Sequence, residues 1–132
     1  MARVRERFET AGRALSALKE LAFLKLFTDV ERDAAIQRFE FTVEVTWKAC
    51  QAYLEEHEGL EGRSPKATIR AARDALLLTD EQSELALRMI DDRNLTAHTY
   101  SEATAQEILI KLPAYARLLE SWLKALAAKV GG

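Results

Sequence analysis

The chain has 132 residues, which predicts one domain, residues 1–132, with a hydrophobic core of its own. Hydrophobic residues make up 48% and charged residues 30%, as in ordinary soluble globular proteins, and five glycines and two prolines leave little material for the turns of an all-β fold. The formal net charge of −2 gives no overall attraction to nucleic acid, so any role with RNA or DNA must rest on a local basic patch or on assembly.

The cysteine content and the N-terminus bear on the compartment. Cys50 is the one cysteine, which excludes an intrachain disulfide and fits a reducing environment. Residues 1–7 are charged and lack the apolar region of a signal peptide, and no apolar run approaches the length of a membrane span. We therefore expect a cytoplasmic protein without contact to a membrane.

The first half of the chain predicts two long helices. Apolar residues recur at steps of three and four from Ala2 to Phe27, the pattern of an amphipathic helix. The end of this segment is apolar nearly all round, so it is either deeply buried or lies against a second subunit. Thr28 and Glu31 form a capping box for a second helix, which runs to about Glu56. Because this helix carries aromatic residues on two faces, we expect it to be central.

A shorter helix follows two glycines. Ser64 is a capping residue and Pro65 suits the first helical position, so a third helix is predicted to start at Pro65 and to include the segment Lys66 to Leu78. One of its faces is basic, with Lys66, Arg70 and Arg73. A solvated charged face is the usual meaning of such a row, and phosphate binding is the less common one.

Two further helices complete the prediction. A capping box at Thr79 starts a fourth helix, and Thr104 with Glu107 offers another box for the last one. The last helix has an unbroken apolar stripe from Ala105 to Leu126, which continues in phase across Pro113 and predicts a kink there rather than a break. Five helices with short connections predict an all-α, up-and-down bundle of antiparallel neighbours.

The stretch Asp91–Tyr100 concentrates the residues that could carry chemistry: Arg93, Asn94, His98 and Tyr100. On a straight α-helix Asn94 and His98 share a face, whereas Arg93 and His98 point about 140° apart. Arg93 and His98 can therefore address one small target only if the helix unwinds at His98, or if two copies of the stretch face each other.

The reaction that suits these residues without a metal is RNA phosphodiester cleavage. His98 is a natural proton carrier near neutral pH, Arg93 suits phosphoryl oxygens, and Asn94 could orient His98. A single arginine–histidine pair of this kind also arises by chance, and a hydrogen-bonded cluster at a helix end is the purely structural alternative. Asp91, Asp92 and one histidine form no recognisable ligand set, so we expect no metal and no cofactor.

Three segments carry a resemblance to a known family: Ile36–Lys48, Ser64–Lys66 and Asp92–Tyr100. They resemble the HEPN superfamily and, more narrowly, the family called nucleotidyltransferase substrate-binding proteins or HepT-type toxins. The similarity extends from about Phe8 to Leu126. This chain has Ala86 about seven residues before Arg93, a position at which we expect many relatives to carry a tryptophan. The similarity implies a helical bundle that pairs as a homodimer, with the two motif copies meeting in a cleft.

The resemblance also implies roles for the motif residues. In HEPN ribonucleases the arginine and histidine of an R-x4-6-H motif are the catalytic pair, matched here by Arg93 and His98, with Asn94 in support. HepT-type toxins extend the motif to a tyrosine, matched by Tyr100, to which a minimal nucleotidyltransferase antitoxin transfers AMP. The implied protein is a metal-independent endoribonuclease toxin that acts on RNA and is silenced at Tyr100. The alternative is a non-catalytic substrate-binding subunit of a two-component nucleotidyltransferase, in which Arg93 and His98 contact nucleotide or phosphate.

Overall fold

The computed structural model describes residues 2–60, 64–99 and 101–131. Five α-helices account for most of them: α1 (Ala2–Ala22), α2 (Asp29–Tyr53), α3 (Pro65–Asp74), α4 (Asp80–Asn94) and α5 (Glu102–Val130). A π-helical turn over Leu54–Glu58 extends α2, and a 3₁₀ turn over Leu95–His98 follows α4. None of the described residues lies in a β-strand, so the prediction of an all-α helical bundle is confirmed.

Helix α2 is central, as predicted, because it packs against α1, α3, α4 and α5. Its predicted apolar stripe is buried along its whole length: Ile36, Phe39, Val43, Trp47, Cys50 and Leu54. Burial raises the pKa of the Cys50 thiol to about 12, so this cysteine stays protonated and behaves as a small core residue. Phe41, on the other aromatic face, is 52% exposed, so that face is only partly covered.

Three helix starts agree with the capping signals in the sequence. The backbone N–H of Glu31 donates to the Thr28 hydroxyl at 3.1 Å, and the Thr28 N–H donates to the Glu31 carboxylate at 2.9 Å. Thr79 and Gln82 form the same reciprocal box at the start of α4, and Ser64 caps α3. These side chains satisfy backbone N–H groups that the first turn of a helix leaves without partners.

The end of α1 was predicted wrongly. The helix ends at Ala22 rather than at Phe27, and the Leu24 N–H closes its last turn on the Leu21 carbonyl. Since the cap at Thr28 fixes where α2 begins, the apolar residues before it are needed for the connection that reverses the chain. Leu26 is 89% exposed, so within one chain this segment is not deeply buried.

The end of α3 also falls earlier than predicted, at Asp74 instead of Leu78. Leu76 adopts a φ of 63°, in the left-handed region that residues with a Cβ rarely enter, and this turns the chain out of the helix. The Leu77 N–H then donates back to the Ala72 carbonyl at 2.9 Å. Leu77 and Leu78 reach the core after this turn, so burial explains their apolar character without a longer helix.

The capping residue of α5 lies three residues before the capping box predicted at Thr104. Ser101 has this role, because its hydroxyl accepts a hydrogen bond from the Thr104 N–H. The helix continues through Pro113, as the unbroken apolar stripe predicted, and it ends at Val130, beyond the last predicted stripe residue, Leu126. No described helix is both long enough and apolar enough to cross a lipid bilayer.

Candidate functional site

The candidate residues lie where α4 ends. The helix stops at Asn94, the Leu95 N–H still reaches the Asp91 carbonyl, and the 3₁₀ turn then ends at His98. An α-helix places Arg93 and His98 about 140° apart, and a 3₁₀ helix, with about 120° per residue, places them about 120° apart. The tightening of the chain before His98 therefore does not bring the two side chains onto one face.

Arg93 is held by a carboxylate from α2. Its Nη2 atom lies 2.8 Å from Oε2 of Glu44, and both side chains are about 30% exposed, with values of 29% and 30%. Within residues 2–60, 64–99 and 101–131, no atom accepts a hydrogen bond from the buried Nε atom of Arg93. The contact with Glu44 fixes the direction of the guanidinium and leaves donors that this carboxylate does not use.

Glu44 is the centre of a small polar network on α2. Besides its contact with Arg93, the Glu44 carboxylate lies 3.0 Å from Nζ of Lys48 and accepts a hydrogen bond of 3.2 Å from the indole N–H of Trp47. Partial burial raises the pKa of the Glu44 carboxyl, but the hydrogen bonds from Lys48 and Trp47 and the charge of Arg93 outweigh it, so the pKa is lowered overall. Glu44 is consequently ionised at neutral pH and remains a partner for Arg93.

A second carboxylate of α2 reaches the 3₁₀ turn. The hydroxyl of Thr96 lies 2.6 Å from Oε2 of Glu40 and 2.7 Å from the Arg93 carbonyl, and its one proton can serve one of these acceptors at a time. Glu40 and Glu44 are four residues apart and therefore share a face of α2. One face of α2 thus contacts the motif at two points, at Arg93 before Asn94 and at Thr96 after it.

Asp92 fixes the same stretch to α5. Asp92 is 9% exposed. Its carboxylate accepts a short hydrogen bond from the Tyr115 hydroxyl and lies 3.2 Å from Nζ of Lys111. Burial and the bond to Asp92 raise the pKa of Tyr115 well above its usual range, so the phenol remains a donor. The Tyr115 ring stacks on Phe39 of α2, with centroids 5.6 Å apart.

Asp91 completes the attachment by pairing with Lys66 of α3 at 2.6 Å. Three consecutive residues, Asp91 to Arg93, thus tie the end of α4 to α3, α5 and α2 in turn. A cavity of about 420 Å³ lies beside them, lined by Ser64, Pro65, Lys66, Ile90, Arg93 and Asn94. Of the predicted basic row, Lys66 lies at the motif, whereas the Arg73 guanidinium is 3.8 Å from the carboxylate of Asp74.

The remaining candidates differ in how they are presented. Asn94 and His98 are both exposed, and His98 closes the 3₁₀ turn. Tyr100 lies outside the described residues. Among the residues that the structure describes, no cluster of three or more histidine, cysteine, aspartate or glutamate side chains could hold a metal ion. Arg93 and Asn94 share the cavity at the end of α4 with Lys66, and an anionic ligand there would compete with Glu44 and Asp91 for the two cations.

Sequence reasoning did not identify the residues that hold the motif. Glu40 and Glu44 stand four apart in a stretch of α2 that is otherwise apolar and periodic, a spacing that could have indicated an acidic face. Tyr115 was assigned to the apolar stripe of the last helix, and nothing in that stripe indicates that its hydroxyl reaches Asp92. These contacts depend on how the helices pack rather than on any one helix.

Comparison with known proteins connects this arrangement to a family. The family model described as nucleotidyltransferase substrate binding protein like matches residues 6–128. No curated protein matches the chain significantly. A crystal structure of a protein from Thermus thermophilus is 61% identical in sequence, with 88% of this chain and 98% of that one covered and a TM-score of 0.86.

Two more distant structures share the fold. A mutant of the MntA–HpeT toxin–antitoxin is 12% identical, with 95% of this chain and 97% of that one covered and a TM-score of 0.80. The tri-AMPylated HEPN toxin of Shewanella oneidensis, in complex with MNT antitoxin, is 14% identical, with 95% and 96% covered and a TM-score of 0.76. At these identities the likeness shows that this chain and the two toxins share a helical fold.

Proposed function

The chain belongs to the family described as nucleotidyltransferase substrate binding protein like, and we propose that it is the toxin of a toxin–antitoxin pair whose antitoxin is a minimal nucleotidyltransferase. In this proposal it is a metal-independent endoribonuclease that acts as a homodimer. Arg93, Asn94 and His98 act on RNA, and AMP transfer to Tyr100 silences them. The observation that carries the proposal is the position of Arg93 and His98 around the exposed end of α4, in a chain that shares its fold with HEPN toxins.

The proposed chemistry assigns each side chain one task. Cleavage requires that a 2′-hydroxyl lose a proton, that the leaving 5′-oxygen gain one, and that negative charge on the phosphoryl oxygens be stabilised. His98 carries the proton, because histidine is the side chain that most often acts as general acid or base. Arg93 contacts the phosphoryl oxygens with the donors that Glu44 does not use, and the ion pair to Glu44 limits the positions that its guanidinium can adopt.

A second copy of the chain would allow Arg93 and His98 to act on the same phosphate group. Because either helical geometry keeps Arg93 and His98 at least about 120° apart within one chain, we propose that His98 of one protomer works with Arg93 of its partner. A twofold axis beside the end of α4 would generate two equivalent pairs in one cleft. This arrangement removes the need for the helix to unwind further.

Tyr100 is the proposed AMP acceptor. The chain has three tyrosines, and Tyr53 and Tyr115 are 5% and 2% exposed, with their hydroxyls bonded to Glu58 and Asp92. Tyr100 is the remaining one, two residues from His98. AMP groups on this residue would add bulk and negative charge beside the histidine, and would therefore obstruct and repel an RNA phosphate.

A second candidate function is a non-catalytic subunit that presents substrate to the nucleotidyltransferase. The ion pair between Arg93 and Glu44 favours it, because a paired arginine at a cavity wall can bind a phosphate group without any chemical step. Both candidate functions require the nucleotidyltransferase partner, so finding this partner does not distinguish them. Cleavage of RNA distinguishes them, because only the first candidate predicts it.

The test is RNA cleavage by the purified protein in the presence of EDTA. The wild-type protein should cut RNA, and His98→Ala should reduce the rate at least about 100-fold, the usual contribution of general acid–base catalysis. His57→Ala is the matched control, because His57 is the other histidine and lies on the π-helical turn after α2. Cleavage that survives in His98→Ala would refute the mechanism. A wild-type protein that binds the transferase but cuts no RNA would support the second candidate.

A further inference from the structure

A second cavity lies between α1 and α2, outside the motif. Its volume is about 340 Å³. It is lined by Arg3, Glu6, Arg7 and Thr10 from the first turns of α1 and by Val45 and Lys48 from α2. The motif residues are not among these side chains, so the cavity is a separate feature of the surface.

The lining of this cavity is basic, although the chain as a whole is slightly acidic. Three cationic side chains face one carboxylate, Glu6, whereas the whole chain has a net charge of −2. The Arg3 guanidinium lies 4.0 Å from the Glu55 carboxylate, which is too long for a hydrogen bond. Arg7 is half-buried, and within the described part of the chain no carboxylate lies at ion-pair distance from it. The N–H donors of Arg7 are therefore not taken up by a described carboxylate and can bind an anion.

The donors in the cavity suit phosphate better than other anions. Two guanidinium groups can each bind a phosphate through two parallel hydrogen bonds, and the ammonium of Lys48 adds a third cation. The hydroxyl of Thr10 already donates to the Glu6 carbonyl at 3.1 Å, so it contributes to the wall. Glu6 can accept a hydrogen bond from a ribose hydroxyl, and the volume falls within the range of small-ligand pockets.

Lys48 connects this cavity to the motif. It pairs with Glu44 at 3.0 Å, and Glu44 pairs with Arg93 at 2.8 Å. Glu44 and Lys48 are about one turn, or about 6 Å, apart along α2, so one carboxylate contacts both a cavity residue and a motif residue. An anion in the cavity would therefore compete with Glu44 for the same lysine.

We propose that the cavity between α1 and α2 binds a phosphate group, carried either by a free nucleotide or by an RNA strand, with Arg7 and Lys48 as its principal contacts. The proposal does not depend on the ribonuclease activity, because it involves neither Arg93 nor His98. The protein would then have a phosphate-binding site in addition to the proposed active site, which acts on the phosphate groups of RNA.

The test uses the full chain carrying His98→Ala, the variant in which the proposed mechanism abolishes RNA cleavage, and phosphate and AMP serve as probes that no ribonuclease can cut. Inorganic phosphate, AMP and a short single-stranded RNA are titrated separately, and binding is followed through the backbone amide NMR signals of Thr10 and Val45. We expect saturable shifts of these signals. Adding Arg7→Gln or Lys48→Gln should weaken binding at least about tenfold, the usual size of a lost charge-assisted contact.

Arg5→Gln is the matched control. Arg5 lies two residues from Arg7 on the same helix, is exposed, and lines a different cavity with Phe8 and Val130. It removes the same charge and should change the affinity less than about twofold. Binding of AMP would identify a nucleotide site, and binding of RNA alone would identify a site for the strand. The proposal is wrong if no probe gives saturable shifts, or if Arg5→Gln weakens binding as much as Arg7→Gln.

Discussion

Nη2 of Arg93 lies 2.8 Å from Oε2 of Glu44, and this contact joins two residues that are 49 positions apart in the chain. The pair is neither fully buried nor fully solvated, so it is screened less than a surface ion pair. Glu44 orients the arginine and at the same time offsets its charge. Any phosphate that binds Arg93 must share it with this carboxylate.

The first prediction concerns the contribution of Glu44 to stability. Its pKa is lowered in the folded protein, so its contribution is fully present above the ordinary value of 4.5 and is lost as the pH falls through the lower folded value. Glu44→Gln should lower the free energy of unfolding by about 1 kcal/mol at pH 7. In urea denaturation, the difference from wild type should shrink below about pH 4.5.

The control for this prediction is Glu84→Gln, because Glu84 is exposed on α4. It should change the free energy of unfolding by less than about 0.5 kcal/mol at either pH. A difference between wild type and Glu44→Gln that stays constant from pH 7 to pH 3 would contradict the ion pair as its source.

The sequence predicts the elements of this fold better than their ends and their contacts. The capping boxes at Thr28 and Thr79 were recognisable because the side chain and the backbone group that it satisfies are three residues apart. The end of α3 was not, because it depends on Leu76 in a left-handed conformation where no glycine signals it. Arg93 was recognisable as a candidate from its type and its spacing to His98. Its partner Glu44 was not, because their contact depends on the packing of α2 against α4.

The second prediction concerns the contact between Tyr115 and Asp92. Tyr115→Phe removes the hydroxyl that donates to a buried carboxylate and leaves Lys111 as the remaining described partner. We expect the free energy of unfolding to fall by about 1 to 3 kcal/mol, the cost of a buried polar group that loses its hydrogen bond. Urea denaturation measures this change.

Tyr53→Phe provides the comparison for Tyr115→Phe. Its hydroxyl donates at 3.1 Å to Glu58, which is exposed and can bond to water instead. This variant should cost less than about 1 kcal/mol. If the two variants are equally destabilising, the contact with Asp92 has no special role in fixing the end of α4.

The third prediction tests whether the proposed active site is shared between protomers. Arg93→Gln and His98→Ala should each be inactive as homodimers. A mixed dimer combines His98 of the first variant with Arg93 of the second across the interface. After unfolding and refolding in equal amounts, about half of the dimers are mixed and each has one of two competent pairs, so about a quarter of the wild-type activity should return.

The readout is RNA cleavage by the mixture compared with each variant alone at the same total concentration. Arg93→Gln retains a group that can hydrogen-bond to Glu44, which limits disturbance of the fold. If the mixture is no more active than its components, Arg93 and His98 do not act across the interface, and the proposed composite site is wrong.

The fourth prediction concerns AMP transfer to Tyr100. Incubation of the protein with a minimal nucleotidyltransferase partner, ATP and magnesium should add AMP-sized increments to its mass, and Tyr100→Phe should show none. Tyr53→Phe should still be modified, because the Tyr53 side chain is buried and its hydroxyl already donates to Glu58. The modified wild-type protein should also lose RNA cleavage, since the added negative charge lies two residues from His98. If the transferase modifies another substrate but leaves this protein unchanged, Tyr100 is not an acceptor, and presentation of substrate to the transferase becomes the better account of the family relationship.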